Sequence, residues 1–136
     1  MTTTITCPCG QVRVDIDAEP EIAFYCHCDD CRAVTGGAYL SVALYPSRAV
    51  KVHGETTTWT LRTLPRQRCS TCGASMVADV AAFDQIGVVG TRLPPGAMQP
   101  AFHIHCRLAV LPVADDLPHY ADTPVDFGGS GKTVDW

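Results

Sequence analysis

The sequence predicts an all-β class, and three observations carry that expectation. Short apolar or alternating runs recur along the chain, Gly, Pro and Asp signals separate them, and no helical periodicity outlasts about two turns. At 136 residues the chain suits a single domain over residues 1–136, burying roughly two thirds of its unfolded surface.

The elements follow in order. Gln11-Val12-Arg13-Val14-Asp15-Ile16-Asp17 alternates with period two, the pattern of a strand with one buried face. Residues 29–35 form the one helical candidate, with Asp29 available as cap and Gly36-Gly37 able to end it in a left-handed conformation. Residues 38–45 are almost continuously apolar up to Pro46, which suits a strand buried on both faces. Further short strands are expected at 50–53, 57–61, 75–78, 85–89 and 102–108. From Pro112 onward Pro118, Pro124 and Gly128-Gly129-Ser130-Gly131 weaken regular structure, so residues 121–136 are expected to be a partly ordered tail.

Composition narrows the function. A hydrophobic content of 46% with 18% charged residues is that of a globular protein, and no stretch approaches the roughly 20 apolar residues that span a bilayer. The net charge of -4 argues against nucleic acid, whose affinity rests on basic side chains. Met1-Thr2-Thr3-Thr4 lacks a basic, then apolar, leader pattern, so the cytoplasm is the expected compartment. Thiols stay reduced there, and clustered cysteines hold metal rather than each other; disulfides in a secreted protein are the competing reading.

Seven of the eight cysteines fall into three clusters: Cys7 and Cys9; Cys26, Cys28 and Cys31; Cys69 and Cys72. Cys7-Pro8-Cys9-Gly10 and Cys69-Ser70-Thr71-Cys72-Gly73 are both knuckles, in which two sulfurs on a tight turn aim at one centre and the glycine lets the backbone turn. Together they make a closed four-thiolate structural site. The middle cluster places three sulfurs within six residues and has no knuckle left to complete it. Its fourth position is open to water, a substrate thiol or another side chain, which is the pattern of a catalytic metal. The alternative is a second structural site closed by His27, His53, His103, His105 or Cys106. Zinc is the favoured ion, because ferredoxin-type clusters use a longer cysteine run and a redox CxxC is expected beside a βαβ unit.

His27 lies between two ligand cysteines, so its ring is expected to turn away from the metal and serve as a hydrogen-bonding or proton-carrying group. In the strand expected at 102–108, the period places Phe102, Ile104 and Cys106 on one face and His103, His105 and Arg107 on the other. Cys106 then reads as a buried, inert thiol, and the two histidines as either surface groups or the lining of a polar site.

These residues resemble the glutathione-dependent formaldehyde-activating enzyme family, whose relatives include the centromere protein V group. The likeness rests on the three clusters, on Thr35-Gly36-Gly37-Ala38, on Val88-Val89-Gly90-Thr91-Arg92-Leu93, on His103-Ile104 and on Asp116-Leu117-Pro118-His119-Tyr120. It implies a β-tent type of fold with two zinc ions per chain: a structural one on Cys7, Cys9, Cys69 and Cys72, and a reactive one on Cys26, Cys28 and Cys31. It also implies a carbon-sulfur lyase reaction in which glutathione and formaldehyde, or a related small aldehyde, form an S-hydroxymethyl adduct. The partner is then a small-molecule thiol, with neither nucleic acid nor membrane. Arg32, Arg48 and Arg92 are candidates for the carboxylates of such a tripeptide. Where the family often carries a Ser-Lys-Ala-Pro-Trp-like segment, this chain has Leu108-Ala109-Val110-Leu111-Pro112. The alternative function is a non-catalytic zinc-stabilised binding module of the same fold.

Overall fold

Alternation of polar and apolar side chains near the start builds a small sheet. In the computed structural model, which describes residues 2–136, β1 (Thr3–Thr6) and β2 (Arg13–Ile16) pair antiparallel, and β5 (Val50–His53) joins the other edge of β2. Ile5, Val14 and Ile16 are buried, whereas Asp15 binds Arg13 at 3.3 Å and His53 at 3.1 Å. The strand expected at 11–17 is thus present but shorter.

The remaining strands are β3 (Ile22–Cys26), β4 (Leu40–Pro46), β6 (Thr56–Thr60), β7 (Pro65–Cys69), β8 (Ser75–Val80), β9 (Gln85–Val89) and β10 (Phe102–Ile104). They form one seven-stranded sheet in the order β10-β3-β4-β9-β8-β7-β6, antiparallel except where β10 runs parallel to β3. Among the described residues the architecture is mostly β with one α-helix, as the turn-punctuated sequence predicts. Among the described residues no helix is long and apolar enough to cross a membrane.

Two cores flank β4. Ala43 and Tyr45 face one that also holds Val12, Val14, Ile16, Met76 and Val88. Leu40 and Leu44 face the other, with Phe24, Phe102 and Ile104. Apolar burial on both sides explains why β4 reads as a continuous apolar run rather than an alternating one.

The helix α1 (Asp29–Thr35) lies where expected and ends at Gly36 with φ 69°, but its cap is Cys28, not Asp29. The Cys28 sulfur accepts the Cys31 N–H, taking the place an Asp oxygen would hold one residue later. A second correction concerns 102–108. The strand stops at Ile104, His105 turns left-handed at φ 55°, and Cys106–Leu108 close a 3₁₀ turn. That break ends the period of two, so His103 and His105 do not share a face. Cys106 is buried, as expected, and burial pushes its thiol up to about 11.

The closing stretch carries little regular structure, but it is tied to the sheet. Tyr120 bridges Thr133, Phe127 packs edge-on against Phe24 and Phe102, and Trp136 lies 4.6 Å from the His119 ring.

Candidate functional site

The two knuckles meet across the fold. Gly10 and Gly73 take φ values of 81° and 77°, which closes each turn through Gly10 N–H to Cys7 O and Gly73 N–H to Cys69 O. The sulfurs of Cys7, Cys9, Cys69 and Cys72 all lie within 4.8 Å of one another, with Cys7 to Cys9 at 3.5 Å and Cys9 to Cys69 at 3.6 Å. A tetrahedral ion with bonds of about 2.3 Å to sulfur separates its ligands by roughly 3.8 Å, so the set fits a metal ion such as zinc. Backbone N–H groups aim at these sulfurs: Val12 donates to Cys7 at 3.3 Å, and Thr71 and Cys72 donate to Cys69 at 3.4 Å. Burial pushes the Cys7 thiol up, but the Val12 N–H and the neighbouring thiols outweigh it and bring it down to about 6.

The second cluster forms because β3 delivers Cys26 to the start of α1, whose cap and first turn supply Cys28 and Cys31. These three sulfurs also lie within 4.8 Å of one another, and no fourth His, Cys, Asp or Glu of the described residues joins them. His27, His53, His103, His105 and Cys106 therefore do not close it. Hydrogen bonds from Cys26 and Cys31 hold the Cys28 thiol far below its ordinary range, and the same sharing pushes Cys26 well above its own. The buried Arg66 reaches Cys31 with Nη2 at 3.8 Å and leaves its Nε without a partner.

Unlike the first cluster, this one opens into a cavity of about 680 Å³ on a face of the large sheet. One wall is the turn between β6 and β7, anchored by Asp30. The buried Asp30 carboxylate accepts from Arg62 N–H and Thr63 N–H at 3.1 Å each, from Arg62 Nη1 at 2.7 Å and from Thr63 Oγ1 at 3.1 Å. Burial pushes this carboxyl up, yet the Arg62 and Thr63 bonds outweigh it and leave the group below the usual range. His105 also lines the cavity, with a buried Nδ1 that has no partner. Its backbone is left-handed at φ 55°, a conformation uncommon outside glycine, and this turns it away from the line of β10.

The other histidines assemble elsewhere. His103 Nε2 and His119 Nε2 approach the two oxygens of Asp115 at 2.7 and 2.8 Å, and His27 Nε2 approaches His103 Nδ1 at 2.9 Å. An ionised carboxylate only accepts, so both imidazoles donate from Nε2; His103 Nδ1 and His27 Nε2 share one hydrogen, and His27 Nδ1 is buried without a partner. Burial, followed by the neighbouring His103 and His119, lowers His27 to about 4, which keeps it neutral. His27 thus turns away from the sulfurs, as expected from its place between two of them. The His103, Asp115 and His119 donor atoms also fall within 4.8 Å of one another, but their contacts have hydrogen-bond lengths, with protons on the nitrogens that a metal would need.

Sequence reasoning missed Arg62, Thr63 and Arg66, which lie more than thirty residues from Cys26 and carry no motif. Of the arginines it offered instead, Arg32 reaches Asp29 at 3.7 Å, and neither Arg48 nor Arg92 lines the cavity.

A model of the family described as glutathione-dependent formaldehyde-activating enzyme matches residues 2–108. Among solved structures, a protein from Rhodobacter sphaeroides is similar at 22% identity and a TM-score of 0.58, covering 68% of this chain and 89% of that one, a likeness of fold. No curated protein matches the chain.

Proposed function

This chain belongs to the glutathione-dependent formaldehyde-activating enzyme family, and from that premise we propose that it is a zinc-dependent carbon-sulfur lyase. Its substrates on this reading are a thiol, glutathione first of all, and formaldehyde or a related small aldehyde, in the reducing cytoplasm. The observation that carries the reading is the three-sulfur cluster, which is short of one ligand and opens on a cavity. The four-sulfur cluster does not line that cavity, which supports a structural role for its metal.

In this mechanism Cys26, Cys28 and Cys31, which line the cavity, would hold the zinc. The ion would supply the charge that keeps an incoming thiol, whose free pKa is about 8.5, as its thiolate. The sulfur then attacks the aldehyde carbon: a carbon-sulfur bond forms, the second carbon-oxygen bond opens, and the thiol proton ends on the new hydroxyl. His105 is the proton carrier, since it is the imidazole that lines the cavity beside the three sulfurs. Arg66, whose Nη2 lies 3.8 Å from the Cys31 sulfur, steadies the negative charge there.

The test is to mix glutathione and formaldehyde with zinc-loaded protein and with its Cys28→Ser variant, following S-hydroxymethylglutathione against buffer. The native protein is expected to exceed both. Equal rates in all three would remove the reaction and leave a zinc-stabilised binding module.

A further inference from the structure

The cavity over the three cysteines is larger and more apolar than a one-carbon aldehyde requires. Its volume of about 680 Å³ lies within the roughly 300–1,000 Å³ range of pockets that enclose a whole small ligand. Its groups are also sorted along the strands. Cys26 pairs with Leu40 at one end of β3 and β4, where Cys28, Cys31, Arg66 and His105 also line the space. Ile22 pairs with Leu44 at the other end, four residues or about 13 Å away. There the lining includes the apolar side chains of Phe24, Leu44, Val80, Phe83 and Phe127. Val80 pairs with Gln85 at the corresponding end of β8 and β9, and the Phe83 and Phe127 rings lie 5.9 Å apart, so these side chains form one patch.

Two further observations bear on the occupant. Phe83 is 52% exposed and Leu108 36% exposed, although both line a concave site, where exposed large apolar groups mark a binding surface. Arg62, the cation nearest the helix start, is already paired with Asp29 and Asp30 at 2.7 Å each. Arg107 and Thr123 also line the cavity, but the side chains of Phe24, Leu44, Val80, Phe83 and Phe127 offer a carboxylate no partner, and burying an unpaired charge against phenylalanine and valine is strongly unfavourable.

We propose that the ligand of this cavity is a thiol-aldehyde adduct carrying an aliphatic or aromatic group of several carbons. Its sulfur lies at the Cys26, Cys28 and Cys31 end, and its apolar group covers Leu44, Val80, Phe83 and Phe127. The inference rests on the carbon-sulfur chemistry proposed above and names its substrate class. The reaction is the same addition: the sulfur-carbon bond forms, the second carbon-oxygen bond opens, and the thiol proton passes to that oxygen. The apolar group enters with the aldehyde or with the thiol, two sources that the experiment separates.

Calorimetric titration of zinc-loaded protein with S-methylglutathione and S-hexylglutathione, both stable thioethers, measures the aldehyde-derived case without turnover. S-hexylglutathione is expected to bind at least tenfold more tightly. Val80→Asp, at the far end of the cavity, and Phe83→Ser, at its exposed rim, are expected to lower that ratio. Phe83 is half exposed and not itself a core residue, so Phe83→Ser guards against a folding defect in Val80→Asp. Where neither conjugate binds, phenylmethanethiol binding more tightly than 2-mercaptoethanol assigns the apolar group to the thiol. Equal affinity within both pairs, or a hexyl preference unchanged in both variants, overturns the proposal even if S-hydroxymethylglutathione forms. A hexyl preference without that reaction upholds the cavity's occupant and removes formaldehyde as the substrate.

Discussion

The Cys28 sulfur accepts the backbone N–H of Cys31 at 3.4 Å, so one thiol both caps α1 and belongs to the three-sulfur cluster. Serine is a good cap but a poor substitute for a thiolate ligand. Cys28→Ser is therefore expected to reduce the zinc count from two to one per chain while unfolding close to the native temperature. Cys28→Ala should lose the same metal and about 1 kcal/mol of stability besides. Elemental analysis and thermal melts measure the two effects.

The four-sulfur cluster joins residues sixty positions apart, Cys9 to Cys69. Binding energy at such a site is folding energy, because the unfolded chain holds no preformed ligand set. Cys9→Ser and Cys72→Ser should each lower Tm by more than about 10 °C, in contrast to Cys28→Ser. Equal losses in all three variants would mean that both clusters are structural.

Asp30 ties the turn between β6 and β7 to α1 with four hydrogen bonds. Its carboxyl is held below the ordinary range when folded, so the folded state binds fewer protons than the unfolded chain in acid. The stability this adds is present above the unfolded carboxylate pKa of about 3.9 and is lost as pH falls through the folded value. Asp30→Asn should flatten that part of the acid limb, and Asp30→Ala should cost about 2 kcal/mol at neutral pH. Urea unfolding from pH 3 to pH 7 provides the measurement.

His105 holds φ 55° without being a glycine. His105→Gly should raise stability or leave it within about 1 kcal/mol, because glycine adopts that conformation freely. If the imidazole carries the proton, the same variant should lose about a hundredfold in adduct formation. Stability and turnover moving in opposite directions would separate that role from simple packing.

The cysteine groups were legible because ligand spacing is local: a knuckle is written in four or five consecutive residues. Strands were less so. β7, Pro65–Cys69, reads as polar and charged, yet Arg66 is buried within the sheet and faces Cys31, a placement that only long-range pairing produces. β1 was missed for a related reason, since its threonines carry no apolar alternation and Ile5 alone is buried. The expected strand at 102–108 failed at one residue. A single left-handed turn at His105 sends it to the cavity and leaves His103 among the buried imidazoles, and no period in the sequence marks such a turn.

β4 has interior on both sides, with Tyr45 and Ala43 looking one way and Leu44 and Leu40 the other. β4 therefore belongs to both cores at once. Disorder that begins beneath one sulfur cluster must pass through the strand packed against the cores that hold both, so on unfolding the two sets of thiols are expected to come apart in one cooperative transition.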